Sequence, residues 1–365
     1  MDAIHILDTS LTLLGEIACV MSLRLRRKFH EVGEFEMVLP LSHPMVDRLA
    51  RDRILCPAGQ VHKAMIIESV TRDTGAGMLN VTGFTLSGLL KRRVCVPPLQ
   101  GEGTYGYDRI VADAESVMRH YVENNVVHPQ SGERRMECIV LEKENGHRGM
   151  QNVPWSARFE QLDELLAAIG VYCDAGYAIV PDFSTRKLVF TYLQGRDRTG
   201  AQDGLRVMFG LHMGNVSGTV ETKSAQQARN AAIVGGAGEE EDRIILSVCP
   251  GGETGMNRRE VFVDAGSVSD PQEIAYEGTR RLAQHALVHS IEAGVQQTPS
   301  CRYGVHWELG DLVIVTTPEA QMTARITQVQ EIHEAGKPMQ LEVIFGDPPG
   351  GVERIIRDRT RNTVR

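Results

Sequence analysis

Ser22-Leu23-Arg24-Leu25-Arg26-Arg27-Lys28, followed by Glu31-Val32-Gly33 and by Glu34-Phe35-Glu36-Met37-Val38-Leu39-Pro40, is the stretch from which the fold is read. Leu23 and Leu25 alternate with Arg24 and Arg26. Beyond the Gly33 turn, Phe35, Met37 and Leu39 share one face while Glu34 and Glu36 share the other. A period of two with opposite characters on the two faces predicts an antiparallel hairpin lying half-buried on a core. The pattern returns downstream, where Met65–Val70 and Met78–Thr82 flank Thr74-Gly75-Ala76-Gly77, a connection with enough glycine to allow positive φ. Residues 83–90 then read as a short helical corner. Pro97-Pro98 and the glycines of 101–106 mark a domain boundary.

From Tyr107 the period changes to helical spacing, with Tyr107, Ile110, Val111, Ala114, Val117, Met118 and Tyr121 forming one stripe. A second helix is expected from an N-cap at Ser156, through Phe159, Leu162, Leu165, Leu166 and Ile169, to a stop at Gly170. Val171–Val180 and Lys187–Leu193 bracket a turn at 181–184 and complete a helix-plus-hairpin domain. Strand patterns resume at Leu205–Phe209, Val216–Glu221, Asn230–Val234, Ile244–Val248 and Glu260–Val263. A third helix opens with Asp270 as cap, Pro271 at the first position and Glu273 at the third, and its stripe is expected to run to Gly294. The end is again β, at Leu312–Val315, Met322–Val329 and Met339–Phe345.

A weak internal echo links the two ends. Ile67-x-x-Val70, a glycine turn and Leu79-x-Val81-x-Gly83 are matched by Ile326-x-x-Val329, a glycine turn and Leu341-x-Val343-x-x-Gly346. The expected architecture is therefore β-rich α+β, with two related β-barrel domains at the chain ends and two inserted α/β domains. The first barrel is placed at 1–97 and a helix-plus-hairpin insertion at 98–204. The second barrel is placed at 205–238 and 296–350, a long-helix insertion at 239–295 and a basic tail at 351–365.

At 365 residues, with 42% hydrophobic and 24% charged residues, the chain has the composition of an ordinary folded protein of several domains. Its net charge of -8 argues against a protein built to grip nucleic acid, and suits a wall past which DNA slides. Seven cysteines stand singly with no CxxC pair or finger spacing, which predicts reduced thiols made in a cytoplasm. Leu11–Leu23 follows no basic residues and contains Glu16, so export is not expected, and no run reaches the ~18 to 20 apolar residues of a membrane span.

Candidate chemistry is thin. His285, His289 and Glu292 share a spacing that would align three ligands on one helix face, but position 286 is Ala where a zinc-protease helix needs Glu. A solvated helix face is the better reading. Gly235-Gly236-Ala237-Gly238 follows a strand, yet Glu239, Glu240, Glu241 and Asp242 would repel a phosphate. Ser156, Ser217 and Ser247 lie in no nucleophile elbow. No catalytic residue, metal site or cofactor is expected. Arg24, Arg26, Arg27 and Lys28 form a basic cluster, and the arginines from Arg354 to Arg365 form a basic tail, read as a frayed terminus.

Residues 25–29, 32–41, 67–70 and 83–94 resemble the siphophage tail-hub proteins, tail-associated proteins similar to the baseplate hub of contractile-tailed phages. Leu309-Gly310-Asp311-Leu312-Val313, Arg325–Val329 and Phe345-Gly346-Asp347 resemble the closing barrel of the same family. The positions that carry the likeness are Gly33, Phe35, Pro40, Gly83, Leu86, Leu90, Arg92, Gly310, Asp311 and Gly346, with Arg24, Arg26 and Arg27 as assembly contacts. The resemblance implies a non-enzymatic virion protein of the tail tip, made in the host bacterial cytoplasm. It implies a homotrimer whose two barrels per chain make a six-unit ring on the tail tube. Its partners would be distal tail or tube proteins, the tape-measure protein and a spike or receptor-binding protein, with DNA only passing through the lumen and no membrane anchor. Members often carry a lysin or receptor-binding extension; with only a short tail here, spike or fibre attachment is expected to fall to a separate chain. Two competing readings are a tail-associated hydrolase that cuts the cell wall with a carboxylate pair, and a metal-dependent enzyme built on His285 and His289.

Overall fold

The computed structural model describes residues 3–100, 104–143, 146, 148–201, 206–266 and 268–346. The opening strands are β1 (Ile4–Leu7), β2 (Leu13–Ile17), β3 (Ser22–Lys28), β4 (Glu34–Pro40), β5 (Ile54–Pro57), β6 (Met65–Asp73) and β7 (Met78–Thr85). Both expected hairpins are present. β3 pairs antiparallel with β4 (Leu23 opposite Met37, Leu25 opposite Phe35) and β6 with β7, so that one face buries Leu23, Leu25, Phe35, Met37, Leu39, Ile67, Leu79 and Val81. A 3-10 turn at Leu86–Arg92 makes the predicted corner and buries Leu86 and Leu90.

The next segment carries β8 (Leu99–Gln100), β9 (Thr104–Tyr105), β10 (Asp108–Ala112), α1 (Ala114–Val122), β11 (Ile139–Leu141), β12 (Val153–Ala157), α2 (Leu162–Cys173), β13 (Gly176–Asp182) and β14 (Lys187–Leu193). Here the helix starts differ from the sequence reading. Residues 108–112 are a strand paired with β12, and α1 begins only after Asp113, whose carboxylate accepts from the Ser116 N–H at 3.0 Å. Tyr107, Ile110 and Val111 fit a helical stripe by spacing, but the cap decides the start. Ser156 likewise lies on β12 rather than capping α2, and α2 runs past Gly170 to end at Asp174, held at φ 50°.

The remaining elements are β15 (Met208–Gly210), β16 (Val216–Ser224), β17 (Ala231–Gly235), β18 (Ile245–Val248), β19 (Glu260–Asp264), α3 (Pro271–Gln284), β20 (Val288–Val295), β21 (Leu312–Thr316), β22 (Gln321–Glu334) and β23 (Gln340–Gly346). Asp270 caps α3 as expected, accepting from Gln272 N–H at 3.0 Å. The helix stops at Gln284, however, and Val288–Val295 is a strand. Ala231–Gly235, expected in the second barrel, pairs instead with β18 and β19. By compactness the chain divides into Met1–Gly218 with Ala293–Val343, and Thr219–Glu292 with Ile344–Arg365. Within the second unit, α3 buries Ile274 and Leu282 with Ala232, Val234 and Val268 around the β18-β17-β19 sheet. Leu205, Asp347, the end of the second expected barrel and the arginine tail lie outside the described residues.

One sheet runs in the order β16-β20-β23-β22-β3-β4-β7-β6-β5-β1-β2, with β21 also on β22 and β15 parallel to β21. The expected closed barrels are not formed by the described strands, because β3 gives its free edge to β22 of the other set instead of closing its own. The sets are nonetheless alike. β3, β4, β5, β6 and β7 lie in the order first-second-fifth-fourth-third, and β16, β20, β21, β22 and β23 lie in the same order.

The likeness extends to single bonds. Ile54 pairs with Ile66 and Leu55 with Met65; correspondingly, Leu312 pairs with Arg325 and Val313 with Ala324. The Asp52 N–H donates to Ile67 C=O and the Ile67 N–H to Arg53 C=O, both at 2.9 Å. Gly310 N–H to Ile326 C=O (2.8 Å) and Ile326 N–H to Asp311 C=O (2.9 Å) repeat that pair. Asp52 and Gly310 both take positive φ, at 66° and 89°.

Candidate functional site

β3 and β22 meet in antiparallel register from Lys28 opposite Gln328 to Ser22 opposite Glu334, and three buried charged residues, Arg27, Lys63 and Glu331, gather at this seam. β3 projects alternate residues to opposite faces, so its three arginines part ways. Arg24 is exposed. Arg26 lies along the sheet surface, donating to Gln330 Oε1 at 2.7 Å and Glu34 Oε1 at 2.6 Å, while Gln330 donates to Glu342 Oε2 at 3.1 Å. Arg27 turns inward, only 7% exposed, and donates to Glu308 Oε1 (2.8 Å) and the Tyr303 hydroxyl (2.7 Å). An arginine so committed fastens the loop 296–311 onto β3; of the three, Arg24 is the one left facing out.

A second cation completes the cluster. Lys63, from the 3-10 turn Val61–Lys63, pairs with Glu331 of β22 at 2.7 Å and lies 4.7 Å from the centre of the Tyr303 ring. His62 stands 3.7 Å from Glu308, and His333 3.6 Å from Glu331. Burial works against the Glu331 charge, but His333, Lys63 and Arg27 outweigh it and hold its carboxyl below the usual range. Burial, helped by the Arg27 charge, pushes His62 down to about 4. The loop is seated by Trp307, 1% exposed, edge-on to Phe209 at 5.3 Å.

Several positions singled out from the sequence serve this framework. Asp311, 3% exposed, accepts from Arg196 N–H (2.9 Å) and Glu308 N–H (3.0 Å) and pairs with Arg198 at 3.4 Å, so it ties β21 to both flanking loops. Gly310 takes φ 89°, and a Cβ there would meet the Phe29 ring at 2.3 Å, so both the backbone and the packing call for glycine. The Arg325 guanidinium lies over that ring at 5.3 Å from its centre and pairs with Asp174, at the end of α2, at 2.6 Å. A Cβ on Gly83 would lie 2.0 Å from Ile66 C=O, at the bulge where β6 and β7 shift register. Gly33 N–H donates to Thr85 Oγ1 at 3.1 Å, Phe35 is buried, Pro40 ends β4, Gly346 ends β23, and Arg92 joins Glu68 to Asp52.

The candidate chemical groups read from the sequence stand apart among the described residues. His285 follows α3 while His289 sits on β20, bonded to Glu221 at 2.9 Å, so the helical ligand row does not exist. Among the described residues no group of three or more His, Cys, Asp or Glu is placed to hold a metal. Ser156, Ser217 and Ser247 lie on β12, β16 and β18. Two carboxylates of the first insertion, Glu115 and Glu142, face a common guanidinium, Arg148. No helix among the described residues is long and apolar enough to cross a membrane.

A β-rich chain with this strand order has the fold of phage tail proteins of known structure. The 43 kDa tail protein of prophage MuSo2 from Shewanella oneidensis matches with a TM-score of 0.57 at 12% identity, covering 94% of this chain and 98% of that one. The tail protein from Neisseria meningitidis MC58 gives 0.57 at 15% identity, over 95% and 97%. Prophage tail protein gp18 from Listeria monocytogenes EGD-e gives 0.54 at 10% identity, over 99% of both chains. No curated protein matches the sequence. Residues 3–347 match the family described as Siphovirus ReqiPepy6 Gp37-like protein, and the chain belongs to that family.

Proposed function

We propose that the chain is a structural component of a phage-type tail, a hub at the tail tip whose copies form a threefold ring between the tail tube and the host-facing end. The observation that carries this reading is the strand order that occurs twice in one chain, bond for bond around Ile67 and Ile326. Two equivalent sets per chain give three copies six like surfaces, which is what a threefold body needs in order to seat on a sixfold one. Membership of a siphovirus family and the fold shared with prophage tail proteins support the virion setting. The ring would bear on tube and distal tail proteins above, meet the tape-measure protein within, and carry a spike or receptor-binding protein below. DNA would only pass through.

The test is mass in solution with negative-stain imaging, for the chain alone and mixed with its tail tube protein. Threefold rings with a central opening are expected. Copies that stay monomeric in both conditions overturn the proposal. Clearing of a cell-wall suspension, abolished by a single Asp or Glu change, would put a hydrolase in its place.

A further inference from the structure

β22 takes two partners in succession. Its first residues, Gln321–Arg325, pair with β21, and Gln328–Glu334 pair with β3. The change of partner falls at two neighbours: Ile326 N–H donates to Asp311 C=O at 2.9 Å, and Thr327 C=O accepts from Phe29 N–H at 2.9 Å. β6 begins in the same way. Met65 and Ile66 pair with β5, and Ile67 N–H donates to Arg53 C=O at 2.9 Å. From Glu68 to Asp73 the β6 edge opposite β7 then has no strand on it among the described residues, and Ser69, Thr71, Arg72 and Asp73 are exposed.

The strand missing from β6 is the counterpart of β3, and that is β16. It stands at the end of the sheet order, so its outer edge has no strand on it among the described residues. The chain thus holds one completed joint, β22 with β3, and two strand edges that correspond to a second joint and have no strand beside them among the described residues, Glu68–Asp73 of β6 and Val216–Glu221 of β16. An unpaired edge presents a row of N–H and C=O groups that another strand can satisfy. We infer that the Glu68–Asp73 edge of β6 takes the open edge of β16 from a second copy of this chain. The contact is head-to-tail, so it repeats around a ring if the turn from set to set is the same within and between copies. It rests on the assembly proposed above and names the strands that would close it.

Arg72 is the position to change. Thr327 C=O points at β3, and in an antiparallel ladder N–H and C=O of one residue point the same way and alternate along the strand. Glu331 therefore faces β3 with its backbone, and Arg72, its counterpart, directs its N–H at the open edge. Its side chain is exposed and pairs only with exposed Asp47 at 3.1 Å, so little stability is at stake. Arg72→Pro removes that donor at an edge where the isolated fold tolerates proline.

The experiment compares wild type, R72K and R72P by light scattering over a concentration series, with circular dichroism to verify folding. R72K should assemble like wild type, and R72P should fold yet self-associate at least tenfold more weakly. A second reading guards against misfolding of R72P: in wild type, the amides of Glu68, Val70 and Arg72 should exchange at least tenfold more slowly in the assembled state than in dilute monomer. Rings whose stability ignores R72P, or whose Glu68, Val70 and Arg72 amides stay unprotected, overturn this joint and leave the hub reading standing. A wild type that never self-associates overturns both.

Discussion

Between β3 and β4 the chain turns round within residues 29–33, whereas at the same place in the second set, between β16 and β20, it runs through residues 225–287 and builds β17, β18, β19 and α3. The strand order is nevertheless the same in both sets. Connection length therefore does not decide which strands pair. The entropy of closing a loop grows only logarithmically with length, so a connection can host a folded unit while the alternating apolar residues of the flanking strands still fix the pairing. What the short connection needs instead is fit: Gly33 has no room for a Cβ, which would lie 2.4 Å from Arg26 C=O.

The comparison can be broken most sharply at the seam where the two sets join. Lys63→Met strands Glu331 in the interior and is expected to cost about 3 to 5 kcal/mol in urea unfolding, while adding Glu331→Leu should restore most of it. If the single change costs under about 1 kcal/mol, the ion pair does not hold the sets together. Next comes Gly83→Ala, which forces a methyl against Ile66 C=O; about 3 kcal/mol should be lost, with the β6–β7 amides the first to exchange.

Acid should weaken the seam as well. His62 sits at about 4 against an ordinary 6.5, so between those values the unfolded chain binds a proton that the folded chain refuses. Stability therefore falls as pH drops through that window. Glu331, held below its ordinary value, adds stability that is present at neutral pH and is lost as pH falls through its lowered one. The His62 side chain is 39% exposed, which screens the effect, and His62→Gln should flatten the melting-temperature profile between about pH 6.5 and 4.

Smaller still is Asp270→Ala, which removes the α3 cap for about 1 kcal/mol and should loosen exchange in 219–292 alone. Smallest should be replacing 226–285 with a two-residue Asn-Gly turn. If β16 and β20 are the counterparts of β3 and β4, the unfolding free energy of the remaining strands should change by no more than about 1 kcal/mol. Loss of the β16–β20 pairing would mean that the unit, not the strands, sets the register.

How much of this could be read beforehand depended on how local the deciding contacts are. β3, β4, β6 and β7 were legible because alternation and a glycine turn lie within one hairpin, and Asp270-Pro271 marked the start of α3 because a cap acts on its own first turn. The helical stripe read from Tyr107 to Tyr121 fails at Ile110 and Val111, whose spacing suits a helix while their pairing with Trp155 and Pro154 makes a strand. His289 falls within the expected third helix because nothing in the sequence punctuates that helix before Gly294. The role of Arg27 had no local mark at all, since Tyr303 and Glu308 lie 276 and 281 positions away in the chain. Gly310-Asp311 is marked by resemblance alone, and the structure supplies the reasons for glycine there, a positive φ and the packing of Phe29.

The partner of Arg26 on β22 lies 304 positions downstream. During synthesis at about 5 to 20 residues per second, the β3 edge consequently waits roughly 15 to 60 seconds for its neighbour to leave the ribosome. Over that interval a bare hydrophobic edge would recruit other nascent chains, and Arg24, Arg26 and Lys28 supply the charge that keeps such strangers off. Neutralising Arg24, Arg26 and Lys28 should therefore lower soluble yield before it lowers the stability of whatever folds.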